Sequence, residues 1–341
     1  MIRRVEAAVD VMRNGAICNR LDFPEPPTVL MSADASIKMS FTGKFLHNAD
    51  VDYLNDRLCP RLVINEVDYP LGVYVIATVA GKYENGTLYD RIEAFDQALI
   101  LQQTKTEDRL FFAAGTTYLS AVSSLLTGAG VQSVISDQLT DALQTDREDW
   151  EIGTDYLQII NAMLAEINYS PIWFDLNGAA RLHKYRVPSG ESVDIAYTSG
   201  VSNIKSECTS ELDVYNAPNV FMAIMDNPDY DEVIIKTAEN NNLASALSIP
   251  RRGRRILRVE RVDNIASADA LQDYANNLCL KAMQTTETIQ FETDLNPVHT
   301  VGNIVGLDHE YIKGVYEERY WSMPLMAGAT MFHKARKVAY L

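Results

Sequence analysis

Five histidines are the first residues that could do chemistry: His47, His183, His299, His309 and His333. No two stand four apart, so the HExxH spacing that sets two imidazoles on one helical face is absent. His299 and His309 flank the apolar stretch Asn303–Leu307. A metal between them needs further ligands that the sequence does not name, and turn or surface positions are the plainer reading. The four cysteines, Cys18, Cys59, Cys208 and Cys279, show neither CxxC spacing nor a dense disulfide framework. They read as buried free thiols of a chain made in a reducing cytoplasm. No GxSxG elbow occurs, and no cysteine carries a nucleophile signature. Carboxylates abound, but a pair at glycosidase separation is a fact of space that spacing along the chain does not reveal.

Two related boxes, Gly115-Thr-Thr-Tyr-Leu119 and Gly153-Thr-Asp-Tyr-Leu157, lack the lysine of a phosphate loop. They read as helix starts, each with a threonine able to cap free N–H groups. Gly128-Ala-Gly130 follows a helix rather than a strand, so it reads as a helix stop and not a dinucleotide fingerprint. The sequence therefore names no catalytic, cofactor-binding or metal residue, and no cofactor.

One basic cluster stands out: Arg251, Arg252, Arg254, Arg255, Arg258 and Arg261. On a strand, Arg254 and Arg258 share one face, with Arg255 and Arg261 on the other. Two readings stand side by side: an internal ion-pair network, and a contact with an acidic neighbouring subunit. Nucleic acid ranks below both, because no aromatics interleave the arginines.

Composition sets the frame for these residues. In 341 residues, 30 are basic and 46 acidic, a net charge of −16. Gripping a nucleic-acid backbone calls for the opposite sign. Apolar residues at 47% and charged residues at 22% are globular values. The length asks for two or three packed units. No apolar run reaches the roughly 18 residues of a membrane span. The arginines of Met1-Ile-Arg-Arg4 precede no apolar signal region.

Residues 1–107 read as antiparallel β. Val5–Met12 ends at Asn14-Gly15, and Ser36–Phe45 and Arg61–Asn65 follow, with a short helix expected over Asp50–Leu58. Val73, Val75, Ala77 and Val79 alternate within Leu71–Lys82, and the Asn85-Gly86 turn returns the chain as Tyr89–Phe95. Residues 108–187 read as a small α/β unit. Tyr118, Val122 and Leu125 line one helix, and Tyr156, Ile160, Met163 and Ile167 a second. A hairpin over Trp173–Tyr185 closes the unit. Residues 188–341 read as β again, with one helix over 267–283. The fold class expected is α+β: two related antiparallel β-barrels around an α/β insertion, since closure hides strand edges. The first barrel is expected to borrow a strand from residues 200–226.

Several segments, in order, resemble the hub proteins of phage tails and baseplates, also found in prophages. Ser36-Ile-Lys-Met-Ser-Phe-Thr-Gly-Lys-Phe45 resembles the family's strand leading to a turn at a small, polar, Gly sequence. Asp50-Val-Asp-Tyr-Leu-Asn-Asp-Arg-Leu-Cys-Pro60 and Tyr69-Pro-Leu-Gly-Val-Tyr-Val75 resemble its D-R-x-x-P and Y-P-L-G-x-F run, and Asp90–Asp96 its E-A-Y-D strand end. Ile152–Leu157 and Ile167–Gly178 resemble its helix and hairpin. Asn296-Pro-Val-His-Thr-Val-Gly-Asn-Ile-Val305 resembles its N-P-x-H-x-x-G-D-x-V turn, with Asn303 where aspartate is common.

The resemblance implies a structural tail-tip or baseplate hub. Three copies, two barrels each, would form a pseudo-sixfold ring joining a sixfold tail tube to a threefold tip or spike. The implied partners are further copies of the chain as a homotrimer, the tail tube or distal tail protein, the tape measure protein and the tip. DNA would only pass, and an acidic lumen suits that. The implied location is the virion tail tip, after synthesis in the host cytoplasm and with no membrane anchor. The chain leaves no room for an appended hydrolase, so no enzyme is expected. The rival readings are a cell-wall-degrading tail enzyme and a carbohydrate-binding adaptor. Scattered Trp150, Trp173 and Trp321 favour core packing over a sugar platform.

Overall fold

The computed structural model describes all residues except 1–2, 139, 187–192, 201–203, 213–216, 227–232, 244, 263–264, 266, 285–286 and 339–341. Eight strands open the chain: β1 (Val5–Arg13), β2 (Ala16–Leu21), β3 (Thr28–Ser32), β4 (Met39–Leu46), β5 (Arg57–Ile64), β6 (Val67–Pro70), β7 (Tyr74–Glu84) and β8 (Thr87–Asp96). Their antiparallel order is β3-β4-β8-β7-β5-β1-β2, with β6 beside β5. Asn85-Gly86 joins β7 to β8 with positive φ at both residues, 50° and 85°, the twist that a two-residue hairpin requires. Strand β5 buries every second residue, Leu58, Pro60, Leu62 and Ile64.

One local expectation fails here. No helix forms over residues 50–58. Asp52 takes the Leu54 N–H at 3.1 Å, and Asp56 turns inward to a two-point contact with Arg13 at 2.7 and 2.8 Å. Side chains that capture nearby backbone and charge in this way hold turns rather than helix. The strand expected over Ser36–Phe45 is present as β4.

An α/β unit follows, made of α1 (Ala98–Gln103), α2 (Tyr118–Gly128), β9 (Val134–Ser136), α3 (Tyr156–Glu166), β10 (Trp173–Phe174) and β11 (Ala180–Leu182). Thr117 caps α2 by accepting from Ser120 N. At α3 the cap is Asp155, accepting from Gln158 N, while Thr154 donates to Glu151 O. The aspartate at the position next to the helix takes the capping role from the expected threonine. The three helices and the small sheet enclose one apolar core.

The last part holds β12 (Ile195–Thr198), β13 (Ile204–Leu212), β14 (Val220–Met225), β15 (Ile234–Glu239), α4 (Ile249–Arg252), β16 (Leu257–Val262), α5 (Ala268–Gln284), β17 (Glu287–Asp294), β18 (Ile304–Asp308), β19 (Lys313–Pro324) and β20 (Thr330–Lys337). It is not one β-unit. Strands β15-β14-β16 form a separate sheet, with β16 parallel to β14, and α5 packs on it around Phe221, Ala223, Leu271 and Ala275.

The borrowed strand is also elsewhere. Within 200–226, β13 pairs with β17 and β14 with β15 and β16. The first eight strands are instead extended by β19, whose Tyr320–Pro324 pair antiparallel with Thr28–Ser32 of β3. One fourteen-stranded sheet thus runs through both ends of the chain. The physical reason is burial. Trp321, Met323, Leu325 and Met331 enter the core formed by Val29, Met31, Phe41, Phe45 and Leu58. The other half of β19 pairs with β18 and lines a second core with Tyr197, Phe291 and Leu307.

Candidate functional site at the strand seam

Strand β19 changes partners within a few residues. Glu317 still faces Ile304 of β18, Tyr320 already faces Ser32 of β3, and the register with β20 shifts between Glu318 and Tyr320. Glu318 sits at that handover, wholly buried. His299, from the loop before β18, bonds one carboxylate oxygen through Nδ1, and His333 of β20 bonds the other at 2.5 Å. Both rings are sealed from solvent. Their far nitrogens are also engaged, His299 Nε2 with the Tyr197 hydroxyl at 2.6 Å and His333 Nε2 with the Thr293 hydroxyl at 2.8 Å. Asn296 donates to the same Tyr197 hydroxyl at 3.0 Å. Phe291 stacks on His333 with ring centres 4.6 Å apart.

Burial would raise the Glu318 carboxyl, but the charge and hydrogen bonds of His299 and His333 outweigh it and hold the group below its ordinary value. Burial pulls the His333 imidazole below its ordinary value against the upward pull of Glu318. Two imidazoles and a carboxylate, with ligand atoms within 4.8 Å of one another, make a donor set for a transition metal. Here both oxygens and all four ring nitrogens already take part in hydrogen bonds, so the arrangement works as a polar fastener between five segments.

The structure thus separates His299 from His309 and brings it to His333 and Glu318 instead. His309 lies buried in a turn, accepting from Tyr311 N at 3.3 Å. The turn or surface reading holds for half-exposed His47, on Asp90 at 2.8 Å, and for His183, on Asp137 at 2.8 Å. It fails for His299 and His333. Asn303, in the position where aspartate was expected, accepts from Thr300 N at 2.6 Å, so the turn keeps its side-chain acceptor.

The arginine cluster is divided by the fold. Arg251 and Arg252 end α4, Gly253 turns the chain, and Arg258 and Arg261 lie on β16. Arg255 pairs with Glu239 at 2.6 Å, Arg258 with Glu260 at 2.6 Å, and Arg252 donates to Ala217 O at 2.7 Å. These bonds tie three of the six arginines to the chain itself, while Arg251, Arg254, Arg255, Arg258 and Arg261 stay exposed at the surface. All four cysteines are free thiols, but only Cys279 is buried and Cys18 is exposed, which corrects the reading of them all as buried. Trp321 is wholly buried, while Trp150 and Trp173 are partly covered.

No family model matches the chain, and no curated protein matches it. Solved structures do. A tail protein from Neisseria meningitidis MC58 superposes with a TM-score of 0.68 at 15% identity, covering 97% of this chain and 96% of that one. The 43 kDa tail protein of prophage MuSo2 from Shewanella oneidensis also gives 0.68, at 10% identity, covering 97% and 98%. The chain has the fold of phage tail proteins. A third similar structure is an E. coli component of the type VI secretion system, described as structurally similar to the T4 bacteriophage tail proteins gp27 and gp5. It superposes at 0.56 with 8% identity, covering 97% of this chain and 77% of that one. The tail-protein fold therefore spans nearly the whole chain. Among the described residues, no helix is long and apolar enough to cross a membrane.

Proposed function

We propose that this chain is a structural hub of a phage or prophage tail tip, without catalytic residues, cofactor or resident metal. The observation that carries the reading is the near end-to-end superposition on two tail proteins. In this reading the β-lobes before and after the α/β insertion are related barrels. The domains divide near 107 and 187. Three copies close into a pseudo-sixfold ring through heterologous contacts. The ring joins tail tube, distal tail and tape measure proteins to a tip or spike, in the virion, and DNA passes its acidic lumen. Two features support an architectural role. The seam side chains with acid–base capacity are sealed inside. The carboxylates Asp34, Asp194 and Glu317 are each engaged by an arginine.

The test is light scattering on the purified chain, followed by class-averaged electron microscopy. Three chain masses and a ring with six similar lobes are the expected result. A sixfold assembly of six chains would point to a distal tail ring, and release of sugar from cell walls would point to a tail hydrolase. Either would overturn the hub reading.

A further inference from the structure

A cavity of about 690 Å³ opens where the cores meet. The first lobe contributes Lys38, the α/β unit Lys184, helix α5 Lys281, and strands β19 and β20 contribute Arg319 and Arg336. With Arg186, six cations line the space against three carboxylates, Asp34, Asp194 and Glu317, an excess of three positive charges (six minus three) in a chain of net −16. The carboxylates are already committed. Glu317 bridges Arg319 at 3.1 Å and Arg336 at 2.6 Å, Asp34 binds Arg319, and Asp194 lies 3.5 Å from Arg186. The Lys281 ammonium lies 4.4 Å from the centre of the Tyr185 ring, and among the described residues the enclosed Tyr185 hydroxyl has no hydrogen-bond partner. Burial, and then the like charge of Arg336, pull Lys281 below its ordinary value; burial and Arg319 do the same to Lys38. Concentrated, partly desolvated positive charge in an open cavity is an attraction for anions.

We propose that this cavity binds a small multiply charged anion of the phosphate or carboxylate class, with Lys281 as its principal contact. The proposal rests on the cavity and not on the tail reading. The ligand is either a free anion or the clustered acidic side chains of a partner's segment. The full chain is titrated with inorganic phosphate, citrate and a hexaglutamate peptide, against sodium chloride at matched ionic strength. Calorimetry and the thermal midpoint are the readouts. At least one polyanion raises the midpoint beyond the chloride control. Lys281→Met weakens its binding about tenfold, the scale of one charged hydrogen bond, and Lys281→Arg keeps it. Binding of the peptide alone assigns the ligand to a partner's side chains, and binding of phosphate or citrate assigns a free anion. The urea midpoint of Lys281→Met without anion verifies its fold. If no polyanion exceeds chloride, or if folded Lys281→Met binds as tightly as the parent, the proposal is overturned.

Discussion

His333 Nδ1 lies 2.5 Å from Glu318 Oε1, with both side chains wholly buried on neighbouring strands. Removing the carboxylate leaves two imidazoles facing each other with no acceptor between them. Glu318→Ala is expected to cost about 3–5 kcal/mol, the scale for a buried pair that loses one partner. Urea unfolding followed by tryptophan fluorescence measures it, and a loss below about 1 kcal/mol would show that water repairs the gap.

The same cluster sets a pH slope. Burial keeps the folded His333 imidazole from taking a proton that the unfolded chain accepts near pH 6.5. The unfolded state then binds more protons below that value, so stability falls as the pH drops through it. Urea midpoints from pH 7.5 down to 5.5 should decline more steeply for the parent than for His333→Gln. Parallel declines would contradict the assignment.

Asp96 acts with the opposite sign. It is buried at the end of β8 and accepts from Met39 N at 2.9 Å and Ala98 N at 2.8 Å. Burial nevertheless raises its carboxyl to about 6 from 3.8. Between those values the folded chain holds a proton that the unfolded chain has shed, so this contribution is lost as pH rises through the window. The stability of the parent minus that of Asp96→Asn should therefore fall from pH 4 to pH 6.5. A difference that rises instead would show that the charged form is the favoured one.

Gly43 allows β4 to pass under the Phe45 ring. A Cβ there would lie 2.6 Å from that ring and 2.8 Å from Pro27 Cβ. Gly43→Ala should cost about 1–3 kcal/mol through overpacking, read as a drop in thermal midpoint with unchanged far-ultraviolet circular dichroism. An unchanged midpoint would mean that Phe45 and Pro27 yield freely.

What the sequence reveals of this fold is what short range decides. Asn14-Gly15 and Asn85-Gly86 mark their hairpins, Thr117 marks the start of α2, and helical spacing marks α5. The helix expected over residues 50–58 is lost to Asp52, which captures the Leu54 N–H two residues on in a local turn, and to Asp56, whose partner Arg13 is fixed only once the chain has folded. The fastener was half legible. His333 stands between buried Met331 and Ala335 on an alternating strand, a signal that it faces inward. Its meeting with Glu318 and His299 depends on the register of β19, which carries no local mark. The pairing of β14 with β16 is parallel and joins residues far apart, so the second sheet could not be separated from its surroundings by periodicity.

The pairing of Met31 with Trp321 joins positions 290 residues apart (321 minus 31). Ribosomes add about 5–20 residues per second, so β3 waits roughly 15–60 s for its partner. Throughout synthesis its open edge, and an apolar core still lacking Trp321, Met323 and Met331, are available to other nascent chains. A stalled or truncated product that ends before β19 is therefore adhesive rather than merely incomplete. Yield in a host cell should follow how well that edge is shielded during translation.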